Sequence, residues 1–250
     1  MAERASEVAA LAARIQQAEV SAAGLGLTEI LGQFVAATGR SQAVMNRSLG
    51  ALSGWLSSSN PLFLSFFRQR EQGRPPDGSE WDEQRLAAEA AINPYCYTEL
   101  NYAALTLDGS GMPYYGPYSV VLKEITIEDR ASIFEENPFI FNKNHHVIAG
   151  STPPLGYRTS WARRGELCGA KLHGKLTAQM KAPDFAPILM ERKGSESDCD
   201  FVEVHIYGPV NRVGIASVRG VAPKRAGDRI IWKQAVGALK KLGATVEEVS

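Results

Sequence analysis

The chain has 250 residues, 44% of them hydrophobic, enough for one large domain or two small ones. Its 27 basic residues balance 27 acidic ones, which argues against blanket binding of nucleic acid or other polyanions as the main activity. The cysteines, Cys96, Cys168 and Cys199, show no C-x-x-C spacing and fit a reducing cytosol or a protein that does not depend on disulfides.

Glu3 and Glu7 open the chain and no apolar h-region follows, so no signal peptide is read. "ASEVAALAARIQQAEV" carries Val8, Leu11, Ile15 and Ala18 at helical spacing and predicts a helix. A second helix is expected over Thr28 to Thr38, with Gly39 as its stop, and a third over Gln42 to Leu56. "NPLFLSFF" (Asn60 to Phe67) is the most apolar run but is too short for a bilayer; it reads as a buried turn or packing plug. "EQGRPPDGSEWDEQR" then breaks the pattern with Gly73, Pro75, Pro76 and Gly78. It reads as a linker leading into a short helix from Trp81 to Ala90, capped by Ser79 with Asp82 at the third helical position. Residues 1–90 are thus expected to form a helical N-terminal region, and 91–250 an α+β domain.

From Asn93 onward the pattern turns to strands. "YTELNYAALTL" is β-prone, "DGSG" is a turn, and "PYYGPYSVVLKEI" alternates. "ASIFEENPFIF" predicts strand-turn-strand. "GELCGAKLHGKLTAQM" is a helix, and "APILMER" a strand. "DFVEVHIYGPV" (Asp200 to Val210) is a strand with Val202, Val204 and Ile206 on one face and Phe201, Glu203, His205 and Tyr207 on the other. "AGDRIIWKQAVGALKKLG" closes the chain as a helix with Ile231, Ala235, Ala238, Leu239 and Leu242 inward, stopped by Gly243 and followed by a last strand, "ATVEEV". Strands grouped with inserted helices predict an α+β fold rather than regular βαβ alternation.

All four histidines, His145, His146, His173 and His205, fall in the second part. They match no zinc signature: H-E-x-x-H, H-x-E with P-C-x-x-C and paired C-x-x-C are all absent, so no metal is expected. There is no G-x-S-x-G elbow, and Cys168 lies mid-helix, where a core role is the default. Two catalytic readings stay open. In the first, His145 and His205 serve as general acid and base, with Arg158 and Lys171 as a charge clamp, in a nuclease. In the second, the chain acts on a nucleotide such as NAD. Cleaving the bond from nicotinamide to ribose builds positive charge on the sugar, which a carboxylate stabilises; an arginine holds pyrophosphate bidentately, and aromatic rings sandwich the nicotinamide. Glu203 between Phe201 and Tyr207, with Arg158 beside Tyr157, offers these parts. A third reading is a non-enzymatic adaptor. Arg163 and Arg164 read as a solvated face, and Arg130 as a surface partner of Glu128 or Glu135.

"VEVHIYGPV" (Val202 to Val210) resembles the glutamate-bearing strand of ADP-ribosyltransferase domains in bacterial polymorphic toxins. Those strands read as a glutamate, a small or apolar residue, a glutamine, two residues and a glycine. Glu203, His205 and Gly208 fall on these positions, with histidine in place of glutamine. "YGPYSVVLKE" (Tyr115 to Glu124) with "EDRASIFEEN" (Glu128 to Asn137) resembles a strand-and-turn block of the same domains. The Ser-Thr-Ser strand of the family has only "RTS" (Arg158 to Ser160) as a counterpart. The resemblance covers about 95–220 and implies a split barrel of two antiparallel sheets with NAD in the cleft. It implies Glu203 as catalytic carboxylate, Arg158 or Arg130 on phosphate or ribose, and His145 or His205 binding ribose or activating the acceptor. Tyr157 or Tyr207 would stack on nicotinamide, with Glu136 a further catalytic candidate and Asn137 a further NAD contact. It also implies an unnamed macromolecular acceptor and an immunity or chaperone protein. The N-terminal helices would serve docking, delivery or autoinhibition. The site of action would be the cytoplasm, or a target cell reached without a signal peptide.

Overall fold

Hydrophobic alternation along the strands sorts side chains onto the two faces of one eight-stranded sheet. The structure, a computed structural model, describes residues 4–71, 80–192 and 199–249, and excludes the side chains of Arg70 and 80–85. Its strands are β1 (Gln42–Arg47), β2 (Leu62–Phe63), β3 (Leu100–Thr106), β4 (Tyr118–Leu122) and β5 (Ala131–Phe134), followed by β6 (Arg158–Ser160), β7 (Glu203–Tyr207), β8 (Val210–Asn211), β9 (Ile215–Val221) and β10 (Thr245–Val249). The large sheet runs β10-β9-β4-β1-β3-β7-β5-β6; β2 and β8 pair separately. Every pairing is antiparallel except β9 with β10, which is parallel. This is a mixed α/β fold on one continuous, mostly antiparallel sheet.

The helices are α1 (Ala5–Gly24), α2 (Thr28–Thr38), α3 (Leu49–Ser57), α4 (Phe66–Glu71) and α5 (Glu80–Ile92), then α6 (Pro138–His145), α7 (Arg164–Leu172), α8 (Phe185–Leu189) and α9 (Ala226–Lys241). Six of them supply buried residues to the core on one face: Leu11, Phe34, Leu52, Leu167, Phe185 and Leu239 come from α1, α2, α3, α7, α8 and α9. They meet Met45, Leu105, Val204, Ile133 and Val218 of the sheet. Burying each such side chain contributes about 1.5–3 kcal/mol. Helices α2 and α7 approach so closely that a Cβ on Gly165 would lie 2.4 Å from the Val35 carbonyl oxygen. The opposite face is thinner. Val44, Ala104, Val121, Met190 and Phe201 form one small cluster there, and Ala91, Ile92, Phe134 and Phe141 another, brought by α5 and α6.

Several expectations need correction. The helix over 42–56 is instead a strand followed by a helix. Residues 42–47 form β1, hydrogen-bonded to both β3 and β4, and Ser48 ends the strand and caps α3 by accepting a hydrogen bond from Ala51 N at 3.2 Å. Residues 1–90 and 91–250 therefore share one sheet and one core. "PFIF" is not a strand: Asn137 caps α6 through Phe139 N, and Pro138 takes the first helical turn. "APILMER" begins inside α8, and only Met190 bridges to Phe201. Arg164 is not solvated. It is 5% exposed, donates to the carbonyls of Ser41 and Trp161, and pairs with Glu124 at 3.0 Å. Ile231 points outward, and Trp232 takes the inward position on α9. Ser79 lies outside the described residues.

Candidate functional site

The strand register lays side chains in rows across the thinner face of the sheet. One row runs Val121, Val44, Ala104, Glu203, Phe134, Arg158, each residue opposite the next on the adjacent strand. The next row runs Tyr102, His205, Ser132, Ser160. Glu203 thus has apolar neighbours on one side and Phe134 with Arg158 on the other. The glutamate and histidine seen in the sequence share a face because they are two residues apart on β7.

Both are enclosed. His205 is fully buried and Glu203 is 7% exposed. His205 Nε2 lies 3.0 Å from Glu203 Oε2, and its Nδ1 lies 3.4 Å from Asn93 Nδ2. Asn93, just past the end of α5, also receives a 2.6 Å hydrogen bond at Oδ1 from Arg158 Nη2. The imidazole ring is flanked by Tyr102 and Phe134, with ring centroids 5.0 and 5.3 Å away. Burial, and then the nearby Arg158 cation, hold the His205 imidazole well below the ordinary histidine range, so it is neutral at pH 7. Burial also lowers the Arg158 guanidinium, which makes no ion pair with a carboxylate among the described residues and lies over the Phe134 ring at 5.3 Å. Ser132 Oγ is buried beside His205 without a hydrogen-bond partner among the described residues. A cation with no close ion pair and a hydroxyl with no hydrogen-bond partner among the described residues, on one face, fit an anionic, hydroxyl-rich ligand.

The remaining candidates sit around this group. His145 is on α6, with its ring centroid 4.6 Å from Tyr157 and 4.3 Å from Phe141; burial lowers its pKa, against the raising effect of Glu135. Tyr157 packs under Arg14 and against Phe141, so it is a packing residue of the α1 contact. Phe134 and Phe141 link this cluster to His205. Glu136 is raised by burial, opposed by Lys171, and accepts from Asn144 at 3.3 Å. Asn137 is committed to its cap and lies 3.4 Å from the Tyr115 hydroxyl. Arg130 makes no ion pair with Glu128 or Glu135 among the described residues; it donates to the carbonyls of Thr126 and Tyr207 and holds the end of β7. Tyr207 is 47% exposed at that end.

The structure therefore brings Glu203, His205 and Arg158 together and arranges His145, Tyr157, Glu136 and Asn137 beyond Phe134 and β5. The sequence reading missed Asn93, Tyr102 and Ser132. Only Asn93 left a trace, as a polar residue between an apolar helix end and Pro94. Among the described residues, no group of three His, Cys, Asp or Glu side chains could hold a metal ion, and no helix is long and apolar enough to cross a membrane.

No family model matches the chain, and no curated protein does. Among solved structures it is similar to Thermosipho africanus DarTG in complex with ADP-ribose, with a TM-score of 0.46 and 11% identity. That match covers 83% of this chain and 49% of the other, so the chain spans about half the length of the structure it matches.

Proposed function

We propose that the chain is an NAD-dependent ADP-ribosyltransferase or NAD glycohydrolase of the bacterial toxin or effector type, with Glu203 as its catalytic carboxylate. The observation that carries this reading is the row holding Glu203 and Arg158, backed by His205. In the reaction the bond between nicotinamide N1 and ribose C1′ breaks, and nicotinamide leaves with the electron pair. The ribosyl cation is captured by an acceptor oxygen or nitrogen, or by water, whose proton passes to Glu203 or solvent. Glu203 opposes the developing positive charge. At 4 Å and an effective dielectric of 20 that interaction amounts to about 4 kcal/mol, about 10³-fold in rate.

Arg158 lies two strands from Glu203, about 10 Å along the row, and its guanidinium suits a pyrophosphate. Ser132 is the hydroxyl partner available to a ribose. An NAD-binding cleft would lie over the β7-β5-β6 end of this face, where the split-sheet arrangement would open between two sheets. The acceptor, an immunity or chaperone partner and a docking or regulatory role for α1–α3 belong to the same proposal. A nuclease using His205 is disfavoured by that ring's complete burial and its commitment to Glu203.

Incubation of the purified chain with NAD tests the reading. Release of nicotinamide is expected, and Glu203→Gln should lower it by about 10²–10³-fold while keeping the wild-type fold by circular dichroism. Full turnover by that variant would refute the assignment.

A further inference from the structure

Arg158 is the one member of the buried group whose hydrogen-bonding role cannot change. A guanidinium carries donors only. Its Nη2 lies 2.6 Å from one end of the Asn93 side-chain amide, so that end must be the carbonyl oxygen. The NH2 end then faces His205 Nδ1 at 3.4 Å. An amide NH2 is donor-only, so Nδ1 must accept and carries no proton. The ring proton is therefore on Nε2, 3.0 Å from Glu203 Oε2. Each group donates to the next, from Arg158 through Asn93 and His205 to Glu203. Reversing any one link would set two donors against each other.

We infer that Asn93 is a positioning residue: held by Arg158, it locks His205 in the Nε2–H tautomer, so that a neutral imidazole donates to Glu203 and fixes where its carboxylate points. This rests on the reading of Glu203 as the catalytic carboxylate only for its effect on turnover; the tautomer lock stands without it. The arrangement serves a carboxylate that must face a cation. An imidazolium at the same place would add a positive charge beside Glu203, whereas a neutral donor orients the carboxylate without adding one. An amide relays the orienting effect of the Arg158 cation without adding a proton of its own. The same cation, set behind the amide, also opposes protonation of His205.

Long-range proton–nitrogen NMR correlation of the histidine rings tests this, with His205→Gln identifying the His205 signals among the four histidines. In the wild-type chain at neutral pH, Nε2 is expected to be protonated and Nδ1 bare. A wild-type His205 found as the Nδ1–H tautomer, or as imidazolium, overturns the inference, and this measurement needs no folded variant. In Asn93→Asp a carboxylate faces Nδ1 as Glu203 faces Nε2, so Nδ1 should gain a proton while Nε2 keeps its own. An unchanged Nε2–H tautomer there also overturns the inference. On the kinetic side, Asn93→Asp and Asn93→Ala should lower kcat for nicotinamide release by about 10–100-fold, the range for loss of a partner that orients a working side chain, with KM for NAD unchanged. Loss confined to KM would refute the positioning role. A wild-type chain with the expected tautomer and no NAD turnover would sink the functional reading while leaving the lock in place.

Discussion

The guanidinium carbon of Arg14 lies 4.0 Å from the centre of the Tyr157 ring, so that one cation on α1 caps the residue preceding β6. The same side chain donates to the Gly156 carbonyl at 2.6 Å and pairs with Glu135 at the end of β5. Glu7, two turns earlier on α1, accepts from Gly156 N at 2.6 Å. The first helix is thereby stitched to the two strands that carry Phe134 and Arg158. Replacing Arg14 with alanine removes a half-buried stacking contact and an ion pair. The expected loss is about 1–2 kcal/mol, discounted for partial exposure, read as a lower urea midpoint with an unchanged slope.

Acid should weaken the fold through His205. Its pKa is depressed in the folded chain by burial, while the unfolded chain has the ordinary value near 6.5. Above that pH neither state is protonated, and the stability is fully present. As pH falls below about 6.5, the unfolded chain takes up a proton that the folded chain refuses. Stability is then lost by up to about 1.4 kcal/mol per pH unit until the folded pKa is reached. Urea titrations from pH 8 to pH 5 should show this slope in the wild type and less of it in His205→Gln. Equal slopes in the two proteins would show that His205 titrates normally.

The contact between α2 and α7 leaves no room for a side chain at Gly165. A Cβ there meets the Val35 carbonyl at 2.4 Å and the Gly39 backbone nitrogen at 2.9 Å, both backbone atoms that cannot rotate away. Gly165→Ala should destabilise by about 1–3 kcal/mol through overpacking, even though alanine is the better helix former. Thermal melting distinguishes the two effects by sign.

Phe141 fills the small cluster on the thinner face and is fully buried against Phe134, its ring centroid 4.7 Å away. Phe141→Ala should cost about 3–5 kcal/mol and loosen α6, on which His145 rides. Phe141→Leu should keep most of the stability. Similar losses for the two variants would mean that filled volume is not what the site requires.

Much of this was legible in the chain where local physics decides. Helix α2 has the bounds its periodicity predicts, Thr28–Thr38, and Gly243, with φ of +74°, ends the closing segment as a left-handed stop. The alternation on β7 correctly separates Val204 and Ile206 from Glu203 and His205. What was hidden depends on partners distant in sequence. "QAVMNR" carries no periodicity that excludes a helix; it is a strand because β3 and β4 lie on either side of it. "PFIF" has strand composition, but Asn137 and Pro138 begin a helix there. The rows across the sheet exist only after register is set, so Ser132 and Tyr102 could not be picked from their surroundings in the sequence. Asn93 showed only as an asparagine before proline, which commonly means a turn.

Because β1 lies between β3 and β4, the centre of the sheet is closed by a segment that is synthesised early and used late. Residues 42–47 leave the ribosome well before either neighbour exists, and until then their backbone groups have no strand to pair with on either side. A fragment covering 91–250 would have the complementary defect, a slot between β3 and β4. Neither piece alone should fold, and both should aggregate when expressed separately. Coexpressed as 1–72 and 80–250, they should recombine into one soluble complex, since the break falls in the Pro- and Gly-containing stretch and leaves every described strand intact. The feature that makes the chain one folding unit would then also make it divisible into two halves that are inert until they meet.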